Sequence, residues 1–221
     1  GGGGKTSLIW RLACELSDHA HVLIATTTHI RPPACTTLLS PTRGEIATAF
    51  RGNNLIAVGD PAENGKLAEV KALLGDYDAL ADYVLIEADG SRGLPLKAPA
   101  AHEPVLPSYT DLTIAVAGMT CAGQTIAEAA HRPELYAALL SLSETETVTP
   151  AIVAQVLQHP KGQRKEVRGR FAVVLNQADT PLRLAFGRAV ATDCREEVLI
   201  TALQTLPERA EHWLNGVRHQ S

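Results

Sequence analysis

The sequence predicts an α/β fold with a mostly parallel sheet and helices on both faces, and three observations carry the prediction. Leu8, Ile9, Leu12, Ala13 and Leu16 mark one face of a helix directly behind a glycine-rich start, Gly1-Gly2-Gly3-Gly4-Lys5-Thr6-Ser7. Val22-Leu23-Ile24-Ala25 and Val84-Leu85-Ile86 are short, almost continuously apolar runs, the kind buried on both faces of a parallel sheet. Helix-like and strand-like segments then alternate to the end of the chain, the order in which crossover helices connect parallel strands.

Taken in order, the pattern predicts a helix over Lys5–Ser17 and a strand within His21–Thr28. Residues 29–54 carry Pro32, Pro33, Pro41, Gly44 and Gly52 and read as loops with a short helix at most, before a strand at Leu55–Val58. A helix is expected over Lys66–Leu74, stopped by Gly75, then a strand over Tyr83–Glu87 that breaks off in Ala88-Asp89-Gly90-Ser91-Arg92-Gly93. After a proline-rich stretch, Leu112–Ala117 reads as a strand ended by Gly118, while residues 119–132 show no clear period. Helices follow at Pro133–Leu142 and at Pro150–Gln158, the latter with Thr149 as N-cap. The last third predicts strand Phe171–Leu175, helix Pro181–Thr192, strand Val198–Thr201 and helix Pro207–Leu214. The whole, residues 1–221, reads as a single domain.

Composition excludes several classes. With 45% hydrophobic and 20% charged residues the chain has the balance of a water-soluble globular protein, and only 4% aromatics leaves an aliphatic core. No apolar run reaches membrane-spanning length and no signal peptide is present, so a cytoplasmic protein with no membrane partner is expected. A net charge of −4 with interspersed signs offers no basic face for nucleic acid. Cys14, Cys35, Cys121 and Cys194 are scattered and form no metal or dithiol motif. The sole methionine is Met119 and the chain opens on glycine, so a fragment lacking the strand that would precede the glycine loop is expected.

Gly2, Gly3, Gly4, Lys5, Thr6 and Ser7 have the chemistry of the second half of a phosphate-binding loop. Glycine amides can crowd an anion at a helix N-terminus, Lys5 can reach terminal phosphates, and the Thr6 hydroxyl can ligate Mg2+. Glu87 and Asp89, at the end of an apolar strand, supply the acid that such a site needs for Mg2+ or its waters. Either carboxylate serves, and its place at the strand tip favours Glu87. Asn176-Gln177-Ala178-Asp179 follows a strand in the same way and resembles the Asn-Lys-x-Asp guanine-reading motif, with Gln177 standing where Lys is usual. The Asp179 carboxylate could accept two N–H bonds from a guanine edge, and Asn176 could brace the base and loop.

Other residues fit more than one role. Thr26-Thr27-Thr28 could bring a hydroxyl to the carboxyl edge of the sheet, although Thr is also an ordinary strand residue. Arg92, Lys97, His102 and Glu103 read equally as phosphate or substrate contacts and as solvated loop charges. His29, His131 and His159 have no metal-ligand spacing.

These stretches together resemble the YqeC family, whose members are described as accessory proteins of selenium-dependent molybdenum hydroxylases. The resemblance rests on Gly3-Gly4-Lys5-Thr6, Thr26-Thr27-Thr28, the run Ile86–Pro99, His102-Glu103-Pro104, His131-Arg132-Pro133 and Asn176-Gln177-Ala178-Asp179. It implies a three-layer P-loop NTPase fold, similar to the branch containing metallochaperone GTPases. It implies GTP or ATP with Mg2+ as cofactors, and a client molybdenum hydroxylase or its cofactor-maturation proteins as partners. The expected roles are nucleotide binding for Gly2–Ser7, Asn176 and Asp179, metal binding for Thr6, Glu87 and Asp89, and catalysis for Glu87, Asp89 and Arg92. A small-molecule kinase acting on a cofactor precursor and a nucleotide-dead client-binding module are the rival expectations.

Overall fold

The computed structural model describes residues 2–73 and 76–219, and the chain packs into two compact units. The first comprises Thr6–Gly90 with Val105–Tyr109, the second Gly1–Lys5, Ser91–Pro104 and Thr110–Ser221.

The first unit runs α1 (Lys5–Ser17), β1 (Val22–Thr26), β2 (Thr36–Leu39), α2 (Arg43–Ala49), β3 (Leu55–Pro61), β4 (Leu67–Ala68) and β5 (Tyr83–Glu87). Its sheet has the order β2-β3-β1-β5, every neighbouring pair parallel, with β4 antiparallel on β3. β1 is buried along its whole length, and its alternate side chains go to opposite faces. Val22 and Ile24 join Ala13 in a cluster against which Ile9, Trp10 and Leu16 of α1 pack. Leu23 and Ala25 join Ile46 and Phe50, from α2 and its C-cap, and Tyr77. A helix thus covers each face of this sheet, which is why the β1 sequence shows no polar alternation.

α2 starts at a capping box in which the Thr42 hydroxyl accepts from the Glu45 amide at 3.3 Å and the Glu45 carboxylate accepts from the Thr42 amide at 2.7 Å. The helix expected over Lys66–Leu74 does not form: β4 and a 3-10 turn at Lys71–Leu73 take its place, and Leu74 and Gly75 lie outside the described residues. Its backbone groups are spent elsewhere. Leu67 exchanges two hydrogen bonds with Ile30, the Val70 amide donates to the Tyr77 hydroxyl, and the Lys71 amide donates to the Asp60 carboxylate.

The second unit contains β6 (Leu96–Lys97), β7 (Leu112–Gly118), α3 (Ile126–Ala129), β8 (Ala130–His131), α4 (Pro133–Ala138), α5 (Pro150–Gln158), β9 (Arg170–Asn176), α6 (Pro181–Asp193), β10 (Glu197–Ala202), β11 (Leu206–Leu214) and β12 (Val217–His219). Its main sheet has the order β12-β11-β10-β9-β7, in which β7, β9 and β10 are parallel and β11 and β12 antiparallel additions. β6 and β8 form a small parallel pair. Ala115, Ala117, Val173, Leu175, Val198 and Ile200 face Val153, Ala154, Val156 and Leu157 of α5 and Val190 and Ala191 of α6.

The expected helix Pro207–Leu214 is a strand. β11 pairs with β10 around a register shift at Thr201/Ala202, then turns at Asn215-Gly216, both with positive φ (50° and 75°), into β12. Asn-Gly is the preferred pair for such a turn because both central residues need φ above zero. Glu211 is drawn inward by bidentate hydrogen bonds from Arg188 on α6, a tie that a helix over the same residues would lose. The helix expected over Pro133–Leu142 ends earlier, at Ala138. The α/β class with mostly parallel pairing is therefore as expected.

Candidate functional site

In the first unit, parallel pairing of β1 with β5 sets Thr26 opposite Glu87 at the strand ends. The Thr26 hydroxyl donates to the Glu87 carbonyl at 2.9 Å and accepts from the Thr28 amide at 2.9 Å, while the Thr27 amide donates to the same carbonyl at 3.2 Å. The threonine run therefore stitches two strand tips together, and its side chains leave the ladder only beyond Thr26. This fixes the Glu87 side chain, 5% exposed, where the Thr6 hydroxyl in the first turn of α1 donates to its Oε2 at 2.9 Å. Ser7 follows Thr6, partly buried, and Asp89 lies partly buried in the coil after β5. A hydroxyl and a carboxylate within hydrogen-bond distance of each other are hard oxygen donors of the kind Mg2+ takes, so these residues fit the expected ion. Among the described residues no group of three or more His, Cys, Asp or Glu side chains is placed to hold a metal. A Mg2+ ion bound through one or two carboxylates and phosphate does not require one.

In the second unit, the glycine segment lies in a cradle that admits no side chains. A Cβ on Gly2 would come 1.8 Å from the Gly93 carbonyl oxygen, and one on Gly3 3.1 Å from that of Pro95. Gly4 has φ +93°, and its Cβ would come 2.2 Å from Asn176 Nδ2. The Gly2 amide donates to the hydroxyl of the buried Ser91 at 3.2 Å. From the other side Asn176 Nδ2 donates to the Gly3 carbonyl at 3.1 Å and Gln177 Nε2 to the Gly2 carbonyl at 2.6 Å. Packing this close is the opposite of a free glycine tail.

Asn176, 2% exposed, uses its Oδ1 to accept from the Thr201 hydroxyl and the Leu203 amide, each at 3.1 Å. Asp179 is paired with Arg183 one helical turn on, at 2.7 Å, and that hydrogen bond holds its carboxyl below the usual range. Arg92 is exposed, with a left-handed backbone (φ 49°).

Lys97 and Glu103 are neither phosphate-facing nor solvated. Lys97 Nζ lies 2.8 Å from Glu103 Oε2, and Arg132 Nη1 2.6 Å from the same oxygen, with side-chain exposures of 4% for Lys97 and 17% for Glu103. The Ala100 amide adds a third donor at 3.2 Å. Burial pushes the Glu103 carboxyl up, but the hydrogen bonds from Lys97, Ala100 and Arg132 outweigh it and bring it down to about 2. Beside this cluster the Lys165 ammonium donates to the carbonyls of Ala100, Ala101 and Glu103 at 2.8, 2.6 and 2.7 Å. His102 and His29 are exposed, and His131 is held below its usual pKa by burial and by the nearby cations Arg132, Lys97 and Arg92.

Three contributors escape a reading by residue type: Ser91, Thr201 and Arg183. Only Arg183 left a signal, since Asp179 and Arg183 have helical ion-pair spacing.

Parallel strand tips bearing threonine and glutamate in the first unit, and a glycine cradle in the second, belong to a mixed α/β protein. The chain belongs to the YqeC family. The family model described as YqeC protein matches residues 1–134, which contain the glycine loop, Glu87–Pro99 and the Glu103 cluster's Arg132, but not Asn176–Asp179. A protein of Escherichia coli (strain K12) bearing the name "Uncharacterized protein YqeC" is 34% identical over 189 residues, 76% of this chain and 69% of its own length. No solved structure matches the chain. Among the described residues no helix is long and apolar enough to cross a membrane.

Proposed function

We propose that the protein is a cytoplasmic P-loop NTPase, hydrolysing GTP in preference to ATP, that serves as a maturation factor for selenium-dependent molybdenum hydroxylases. The observation that carries this reading is the Thr6 hydroxyl on Glu87 at 2.9 Å, in the first turn of the helix that the glycine segment leads into. A three-layer NTPase fold supplies a reason for that pairing: the hydroxyl after the lysine and the acid at a strand tip share one Mg2+. Thr6 and Glu87 would hold the ion, with Asp89 beside them; when bound it neutralises phosphate charge. The Gly3 and Gly4 amides and Lys5 would hold the phosphates, Glu87 or Asp89 would orient water, and the exposed Arg92 would add charge to the transition state. Asp179 would take the base edge, with Asn176 bracing the loop.

Lys5→Ala is expected to weaken Mg2+-nucleotide binding at least tenfold by calorimetric titration, since it deletes the cation that faces the terminal phosphates. Unchanged affinity sinks the phosphate-loop assignment. Product analysis with the wild-type protein then separates the rivals. Free phosphate supports the NTP hydrolase, a phosphorylated metabolite a kinase, and binding of client without turnover a nucleotide-dead module.

A further inference from the structure

The amide side chains at the end of β9, Asn176 and Gln177, are spent before any base could reach them. Gln177 Nε2 donates to the Gly2 carbonyl at 2.6 Å, and its Oε1 accepts from the Thr120 hydroxyl at 3.0 Å. To reach there the side chain runs over Gly118, where a Cβ would sit 2.3 Å from Gln177 Oε1, and starts from a left-handed backbone (φ 65°). Asn176 does the same one residue along, with Nδ2 on the Gly3 carbonyl and Oδ1 on Thr201 and Leu203. Two consecutive carbonyls of the glycine segment are thus each held by one carboxamide, and each carboxamide is held by a hydroxyl behind it.

Peptide planarity converts this into a statement about the loop's donors. In a trans peptide the C=O of one residue and the N–H of the next point in opposite directions. Pinning the Gly2 and Gly3 carbonyls toward the end of β9 therefore turns the Gly3 and Gly4 amides away from it. Without the clamp, glycine would populate many other orientations, because it has the widest choice of φ and ψ. We propose that Gln177, together with Asn176, is a positioning residue that presets the Gly3 and Gly4 amides for an anionic phosphate group, and that Gln177 does not read the nucleobase. This rests on the nucleotide-binding reading for the identity of the anion; the loop geometry itself does not. Base discrimination then falls to Asp179 alone.

The test compares wild type, Gln177→Met, which keeps length and loses the donor, and Gln177→Lys, which restores one. Affinities are measured for GTP, ATP and magnesium tripolyphosphate, which has no base. Loss of one orienting hydrogen bond should weaken all three ligands by the same factor, roughly 3- to 10-fold, in Gln177→Met, with recovery in Gln177→Lys. A changed GTP-to-ATP ratio with tripolyphosphate binding intact would overturn the proposal. Amide exchange of Gly3 and Gly4 in the ligand-free proteins is the second readout, expected faster in Gln177→Met than in wild type and Gln177→Lys; equal rates also overturn it. If wild type binds none of the three ligands, the nucleotide reading fails while the exchange comparison still decides the clamp. Thr120→Val, which removes only the hydroxyl behind Gln177, replaces Gln177→Met in both measurements should that variant not fold.

Discussion

Replacing Glu103 with alanine is expected to cost about 3–5 kcal/mol of stability, the range for removing one partner of a buried ion pair. The carboxylate is the common acceptor for Lys97, Arg132 and the Ala100 amide, and Lys97 is almost wholly buried. Without Glu103 the Lys97 ammonium stays in a site that water reaches poorly, and the desolvation cost it already carries is no longer offset. Replacing Lys97 and Glu103 together, by Met and Gln, should cost clearly less than the single change, since the most deeply buried charge of the cluster goes with its partner and only the more exposed Arg132 loses one. Urea unfolding decides the matter: a loss below about 1 kcal/mol for Glu103→Ala would reduce the cluster to an ordinary surface pair.

The same carboxylate sets an acid limit. Its folded-state pKa of about 2 lies below the ordinary 4.5, so its contribution is fully present above pH about 4.5 and is lost as pH falls toward about 2. Wild-type stability should therefore fall across that window, and the Glu103→Ala variant should show a shallower decline there.

Gly4→Ala is expected to destabilise by about 2–5 kcal/mol, because two penalties coincide. The left-handed φ of +93° costs a residue with a Cβ about 1–2 kcal/mol. The added Cβ would also stand 2.2 Å from Asn176 Nδ2, forcing that buried carboxamide off its partners for about 1–3 kcal/mol more. Gly93 supplies an internal control: φ is +84°, yet a Cβ there meets nothing within 4 Å, so Gly93→Ala should show the backbone penalty alone. Equal unfolding midpoints for the two variants would remove Asn176 from the account.

Periodic segments were legible and tertiary ones were not. α1, β1, β5, α5 and α6 follow from apolar period and cap residues because their own side chains decide them. The stretch after Lys66 failed because Ile30, Asp60 and Tyr77 claim its backbone amides and carbonyls, and none of these is adjacent in sequence. β11 failed differently: the pairing of residues 206–214 with β10 and the pull of Arg188 on Glu211 come from residues distant in sequence, and the Asn215-Gly216 turn that closes the hairpin lies just beyond the stretch read as a helix. Thr42-Arg43-Gly44-Glu45 and Thr125-Ile126-Ala127-Glu128 were capping boxes open to reading from residue type alone. In the candidate site, Gly2–Thr6, Glu87 and Asn176 stood out by type and spacing. The ties of Gly2 to Ser91 and Gln177, and of Asn176 to Gly3 and Thr201, join segments far apart in the chain, which a single sequence does not bring together.

Lys165 shows that charge and shape are separate requirements. Its ammonium is the tripod on which three carbonyls with mutually repelling dipoles can converge. An arginine would bring the same charge, but its donors lie in one plane and fan outward, so they cannot meet three acceptors gathered around a single atom. The identity of this residue is thus set by the arrangement of its hydrogens, and a substitution that keeps the electrostatics would still open the turn that presents Glu103.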